Sequence, residues 1–243
     1  MRDLSIIVPT YNEAHRITSC MYELSKLQPR EIIVVDNGSS DNTARIVSSW
    51  IEMKILPVCD LRLVRLPNPG KGAAVRMGML LARGSFCYMA DCDLSTPAGS
   101  ILDFLLIMRT CAADVVIGSR RMKGSKVRQS AKRDLSGKVF HALTRILLPD
   151  IKDTQCGFKM FTHEAARKIF SNIYLTGLAF DVEVLLEADR RGYKVIEMPV
   201  PWKEGHSSRV HVLRDGIKMT RDLWTLAWRY RFKRTAQLRP SLP

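Results

Sequence analysis

The chain has 243 residues, 46% of them apolar and 26% charged, the make-up of an ordinary globular protein, which sets disordered and fibrous classes aside. Its net charge of +14 is concentrated: residues 119–138 carry eight Lys/Arg against one Asp, residues 201–243 carry ten against three acids, and the remainder balances at twenty of each. Charge confined to two segments points to an anionic partner at a defined face, whether phosphate, anionic lipid or nucleic acid.

From the amino end, Met1-Arg2-Asp3-Leu4-Ser5 leads into no long apolar segment, so no signal peptide is expected. Leu4–Val8 and Ile32–Val35 are short β-branched runs, each followed by turn residues and then a segment of helical spacing; Leu61–Val64, Phe86–Met89 and Val115–Ile117 repeat the scheme. Helices are expected over Glu13–Leu27, Thr43–Trp50, Gly72–Ala82 and Ile101–Thr110. This alternation predicts an α/β fold, a mainly parallel sheet with helices on both faces, whose ligands bind at the carboxyl ends of the strands. One catalytic domain over 1–210 is expected, then a basic amphipathic helix over 211–236 and a flexible tail over 237–243. The longest apolar runs, such as Phe104 to Met108, fall far short of the roughly 20 residues that cross a bilayer. The six cysteines form no CxxC pair and read as reduced structural thiols in a cytosolic compartment.

Three predicted strands end in acidic or amide groups: Pro9-Thr10-Tyr11-Asn12-Glu13, Asp36-Asn37-Gly38-Ser39-Ser40-Asp41 and Asp91-Cys92-Asp93. A single Asp after a strand is often a helix cap, and Ser40 or Asp41 before Thr43 fits one; three such ends together call for another reason. Asp91 and Asp93, one residue apart in a turn, can approach one cation. Two carboxylates completed by diphosphate oxygens and water suit Mg²⁺ or Mn²⁺, which would offset charge on a diphosphate leaving group. The loop Gly70-Lys71-Gly72 opens a helix, so it is either a phosphate cradle or only a tight loop; it does not match the Walker pattern.

With these residues placed, the sequence resembles the family 2 glycosyltransferases of the nucleotide-sugar (GT-A) fold, through Ile6-Ile7-Val8-Pro9-Thr10-Tyr11-Asn12-Glu13, Val34-Val35-Asp36-Asn37-Gly38-Ser39-Ser40-Asp41 and Asp91-Cys92-Asp93-Leu94-Ser95. Within that family it is similar to polyprenyl- and dolichyl-phosphate sugar synthases, especially the dolichyl-phosphate β-glucosyltransferase branch. The stretches Gly70 to Met79, Gly118-Ser119-Arg120, Asp153-Thr154-Gln155-Cys156-Gly157-Phe158-Lys159 and Phe180-Asp181-Val182-Glu183 carry that likeness, which runs from residue 4 to about 205. The resemblance implies an inverting hexosyltransferase, moving glucose or mannose from a nucleoside-diphosphate sugar, UDP favoured over GDP, to a polyprenyl phosphate. It places Pro9, Tyr11, Glu13, Asp36 and Asp91 in the nucleotide-sugar site, with Asp36 on the base; Lys71 joins them where its loop is a phosphate cradle. Asp91 and Asp93 become metal ligands, and Gln155 an added metal or diphosphate contact.

A lipid phosphate is already an anionic nucleophile; what it needs is cationic positioning beside the donor diphosphate. Arg grips phosphate bidentately, so Arg120 and Arg133, then Lys132, are the expected acceptor-phosphate residues, and the two arginines join Asp91 and Asp93 as catalytic candidates. Asp181, where relatives with hydroxyl acceptors keep a base, is an acceptor-side or structural group. Within Trp202 to Ser208, His206, Ser208 and the following Arg209 match a family segment near the donor or anchor a loop. At 100° per residue, 214–234 sets Ile217, Met219, Leu223, Trp224, Leu226, Ala227, Trp228 and Tyr230 on one side and Arg214, Lys218, Arg221, Arg229 and Lys233 on the other. Trp and Tyr beside Lys and Arg suit an anionic membrane interface; core packing is the rival. Peripheral contact at the cytoplasmic face of a membrane is therefore expected. The alternatives are a family 2 transferase with a non-lipid acceptor and a basic nucleic-acid-binding module. The second lacks a helix-turn-helix or ribonucleoprotein signature and leaves the acidic strand ends unexplained.

Overall fold

The computed structural model describes residues 1–56, 59–128, 142–203 and 212–237, with side chains of the last segment described over 218–230. The chain order is β1 (Leu4–Thr10), α1 (Ile17–Ser25), β2 (Glu31–Asn37), α2 (Thr43–Glu52), β3 (Asp60–Leu66), α3 (Lys71–Leu81), β4 (Phe86–Met89), α4 (Ser100–Thr110), β5 (Val115–Ser119) and β6 (Val127–Arg128). There follow β7 (Lys159–Thr162), α5 (His163–Phe170), α6 (Phe180–Arg190), β8 (Val195–Pro199), β9 (Trp202–Lys203) and α7 (Val212–Gln237).

Seven strands form one sheet in the order β3-β2-β1-β4-β7-β5-β8, and β6 pairs with β9 in a second, two-stranded sheet. Pairing is parallel except at β7, which runs antiparallel to both β4 and β5. The α/β architecture is the one expected, and each of the five strands read from sequence is present. The β-branched runs are buried on both faces because successive side chains alternate. Ile7, Ile33 and Val35 pack beneath α3, α5, α6 and the last helix, while Ile6, Val8, Ile32 and Val34 pack beneath α1, α2 and α4.

The first helix departs from expectation. It starts at Ile17 rather than Glu13, because Asn12 takes a left-handed backbone (φ 54°) and residues 12–14 bond to the loop after β2 instead of continuing a helix. The last helix divides the apolar side read from sequence. Leu223, Leu226 and Tyr230 are buried against the core, but Trp224 and Trp228 are 77% and 69% exposed.

Candidate active site

The carboxyl ends of β1, β2 and β4 meet on one edge. Asn12 stitches the first two loops together: its Oδ1 accepts from the Ser40 amide at 2.7 Å and the Asp41 amide at 3.3 Å, and its own amide donates to Ser39 Oγ at 2.8 Å. Glu13 and Ala14 donate their amides to Thr43 Oγ1 and Asp41 Oδ2. Of the expected nucleotide residues, Pro9 is half-buried and Tyr11 exposed, while the Glu13 carboxylate is gripped by Arg16 Nε and Nη2 at 2.7 and 2.9 Å. Asp36 is 1% exposed. Its Oδ2 lies 3.9 Å from Arg65 Nε, and its Oδ1 is buried without a hydrogen-bond partner among the described residues. A buried acceptor left unpaired costs roughly 1–3 kcal/mol, so Asp36 has room for a donor from outside the protein.

The Gly70–Gly72 loop turns out to be a packing device. The Gly70 amide donates to Asn37 Oδ1 at 2.9 Å and the Gly72 amide to the Thr176 carbonyl at 2.8 Å, so neither serves a phosphate. A Cβ on Gly72 would stand 2.5 Å from the Leu175 carbonyl oxygen and 2.7 Å from Phe180 Cβ; only glycine allows this approach. The loop aims Lys71 at Asp91, whose Oδ1 lies 2.6 Å from its Nζ.

Asp91 is half-buried and Asp93 exposed, the latter accepting the Ser95 amide at 3.0 Å. Between them and Ser95 the chain turns through Leu94 at φ 47°, a left-handed conformation costly for leucine. Gly157 lies flat against Asp91: a Cβ there would collide with Asp91 Oδ2. Burial pushes the Asp91 pKa up, but Lys71, then Lys159 and Arg120, outweigh it and hold the carboxyl below its ordinary range. Asp91 therefore presents a carboxylate, as a hard divalent cation needs. Among the described residues no three His, Cys, Asp or Glu side chains gather as a complete metal cage. Two carboxylate ligands with room for diphosphate oxygens and water fit Mg²⁺ or Mn²⁺. Gln155 gives its amide to Asp153 Oδ1 at 3.1 Å, and its Nε2 is buried without a partner among the described residues. A nitrogen donor so placed suits an oxygen acceptor better than a cation.

Arg120 is engaged within the protein. Its Nε and Nη2 bind Asp153 at 2.7 and 2.9 Å, its amide binds the same carboxylate at 3.0 Å, and its guanidinium stacks over Trp202, 5.4 Å from the ring centre. Glu197 in turn fixes the Lys152 and Asp153 amides at 2.9 Å each. A phosphate would have to compete with Asp153 for this fork. Lys132 and Arg133, and likewise His206, Ser208 and Arg209, lie outside the described residues.

Sequence reasoning assigned no role to Asp153, Gly157, Lys159 or Trp202. Lys159 is 1% exposed and binds Asp181 Oδ1 at 2.5 Å and the Cys156 carbonyl at 2.7 Å. Burial raises the Asp181 pKa against the opposing effects of Lys159 and Lys71. Asp181 thus sits in a buried ion pair, the structural alternative for this residue. Trp202 lines a pocket together with Asp91, residues 94–96 and Gly157. Asp153, Gly157 and Lys159 all fall in the stretch whose only assigned member was Gln155; their tight spacing was the available signal.

Comparison with known proteins follows the same lines. The model of the family described as glycosyl transferase family 2 matches residues 5–170. A dolichyl-phosphate beta-glucosyltransferase of Dictyostelium discoideum is 36% identical over 93% of this chain and 74% of its own length. Proteins of the same name from Saccharomyces cerevisiae and Homo sapiens are 34% and 35% identical, over 93% and 94% of this chain and 75% and 76% of their own. Among solved structures, glucosyl-3-phosphoglycerate synthase of Mycobacterium tuberculosis in complex with Mn²⁺, UDP and glucosyl-3-phosphoglycerate superposes with a TM-score of 0.69 at 20% identity, over 92% of this chain and 79% of that one. Its complex with Mn²⁺, UDP-glucose and phosphoglyceric acid gives 0.69 at 21%, over 94% and 80%. At that identity the likeness is one of fold, whereas the family model and the curated relatives agree along most of the chain: it belongs to glycosyl transferase family 2 and is a glycosyltransferase.

Proposed function

We propose that this chain moves glucose from UDP-glucose to dolichyl or another polyprenyl phosphate, with inversion and with Mg²⁺ or Mn²⁺, while resting on the cytoplasmic face of a membrane. The observation that carries the reading is the 34–37% identity, over more than nine-tenths of the chain, to relatives named dolichyl-phosphate beta-glucosyltransferase. UDP and Mn²⁺ in the fold neighbours agree with it.

In this reading the unpaired Asp36 Oδ1 accepts from the nucleotide base, with Pro9, Tyr11 and Glu13 lining the same pocket, and Lys71 reaches the diphosphate. Asp91 and Asp93 hold the divalent ion, whose chemistry is Lewis-acid neutralisation of the leaving diphosphate. Gln155 Nε2 donates to a diphosphate or sugar oxygen. The acceptor phosphate needs no strong base, in keeping with Asp181 paired to Lys159; it needs cations, which Arg133 and Lys132 supply. Arg120 acts from behind, holding Trp202 and the 153–155 turn against the pocket. In-line attack by the lipid phosphate gives a β-linked product from an α-linked donor.

The last helix would meet the membrane through Trp224 and Trp228, one turn apart and exposed, beside Lys218 and Arg221. No helix among the described residues is long and apolar enough to cross a membrane. A panel of radiolabelled UDP-glucose, GDP-mannose and UDP-N-acetylglucosamine, each offered dolichyl phosphate or phosphoglyceric acid, tests the assignment. Organic-phase label from UDP-glucose alone is expected. Label transferred only to phosphoglyceric acid would instead make this a family member with a soluble acceptor.

A further inference from the structure

Lys71 is the first residue of α3, and its backbone is fixed on both sides. Asn37 holds the Gly70 amide, Thr176 holds the Gly72 amide, and the Leu175 carbonyl fills the space a side chain at Gly72 would need. The 174–175 loop is itself pinned, because Glu183 Oε2 accepts the Tyr174 and Leu175 amides at 3.1 and 2.8 Å. Asp91 is equally constrained, since its Oδ2 fills the space a Cβ on Gly157 would need. Only the four-carbon stem of Lys71 is free to swing, and it places the ammonium 2.6 Å from Asp91 Oδ1.

Lys71 thus sets a cation on one of the two candidate metal carboxylates, with Lys159 and Arg120 adding positive potential there. A divalent ion arriving alone meets one exposed carboxylate, Asp93, and an ammonium on the other. A donor diphosphate changes this balance by offering Lys71 new anionic oxygens and adding ligands for the ion.

We propose that Lys71 competes with the divalent cation for Asp91 and is drawn off by the donor diphosphate, so that metal and nucleotide bind together. This rests on the proposed metal site at Asp91 and Asp93. By linkage, whatever the nucleotide gains from the metal the metal gains from the nucleotide, and Lys71 sets part of that coupling.

The test is direct Mn²⁺ binding to the full chain, read from the electron paramagnetic resonance signal of free Mn²⁺, with and without UDP. Without UDP, Lys71→Met and Lys71→Gln should each bind Mn²⁺ about tenfold more tightly than wild type, because a repelling neighbour is removed. Lys71→Arg should remain as weak as wild type. UDP should tighten Mn²⁺ binding by wild type about tenfold more than by the Met and Gln variants. If wild type takes up no Mn²⁺ even with UDP, the metal site is wrong and the proposal falls with it. If wild type binds Mn²⁺ with UDP, but neither variant without UDP binds more tightly than wild type, the metal site stands and the competing role is overturned.

Discussion

Strand β2 carries a buried acid near each end, and the rest of the fold treats the two differently. Glu31 at the amino end is saturated: it accepts from Ser5 Oγ at 2.6 Å, Arg62 Nη1 at 2.8 Å, and the Arg83 amide and Nε at 2.7 and 3.1 Å. Asp36 near the carboxyl end is as deeply buried, yet one oxygen has only a distant Arg65 and the other no partner among the described residues. Fully paired buried carboxylates hold a fold together, whereas an unpaired one costs stability and persists where a ligand completes it. The amino edge of this sheet thus carries a saturated acid and the carboxyl edge one left open, and in parallel sheets ligands bind at the carboxyl ends of the strands.

The sharpest way to break that division is Asp93→Ala. Asp93 is exposed, so the variant should melt like wild type while glucosyl transfer falls by about a thousandfold, as when a stabiliser of leaving-group charge is lost. A loss of stability of similar size would make Asp93 a structural residue. At the other edge, Glu31→Ala removes the buried acceptor of Ser5 Oγ, Arg62 and the Arg83 amide, while Arg83 keeps Asp60 and Arg62 keeps the Leu81 carbonyl. It should lower unfolding free energy by about 1–3 kcal/mol in urea titrations with donor KM unchanged.

Arg133→Ala should reduce transfer to polyprenyl phosphate by about one to two decades, the worth of a charge-assisted contact, while metal-dependent hydrolysis of the donor by water persists. If both reactions fall together, Arg133 belongs to the donor side. Asp36→Ala should raise the donor KM by about ten- to a hundredfold with kcat little changed and the fold no less stable. Equal losses in kcat and kcat/KM would move Asp36 from ground-state binding to the transition state.

The smallest effect is one of pH. Burial pushes the Glu31 pKa up, and the bonds from Ser5, Arg62 and Arg83 outweigh it and hold the carboxyl below its ordinary value. Its stabilisation is therefore complete above the ordinary glutamate range and is lost as pH falls through that range toward the lowered folded value. Glu31→Gln should lose stability less steeply than wild type between about pH 6 and pH 3. Unfolding curves of equal slope would show that Glu31 is not the group titrating.

The acidic carboxyl edge was largely legible in the sequence because its residues follow apolar strands: Asp36 follows the four apolar positions Ile32–Val35 of the wholly buried β2, and Asp91 comes two residues after the four-residue β4. What could not be read is what long-range contact decides. The antiparallel β7 is four residues long and opens with Lys159, a charge that looks like surface until Asp181 is found beside it. Arg120 resembled a free phosphate clamp because Asp153 lies 33 residues away. The glycines of the Lys71 loop fitted a cradle and a tight loop alike because nothing in their neighbourhood announces Thr176 and Leu175. The start of α1 was misplaced for the same reason, since Asn12 bonds across to the loop after β2.

The most direct measurement is transfer of label from UDP-[¹⁴C]glucose to dolichyl phosphate in detergent micelles, followed in the organic phase. It would be run with Mn²⁺, with a chelator and Mn²⁺ add-back, and for wild type beside Asp93→Ala. The account predicts β-linked glucosyl lipid from wild type, its loss on chelation, its return with Mn²⁺ and its absence from Asp93→Ala. Glucosyl lipid formed undiminished in chelator, or equally by Asp93→Ala, would contradict the metal-centred site, and label that never leaves the aqueous phase would contradict the lipid acceptor.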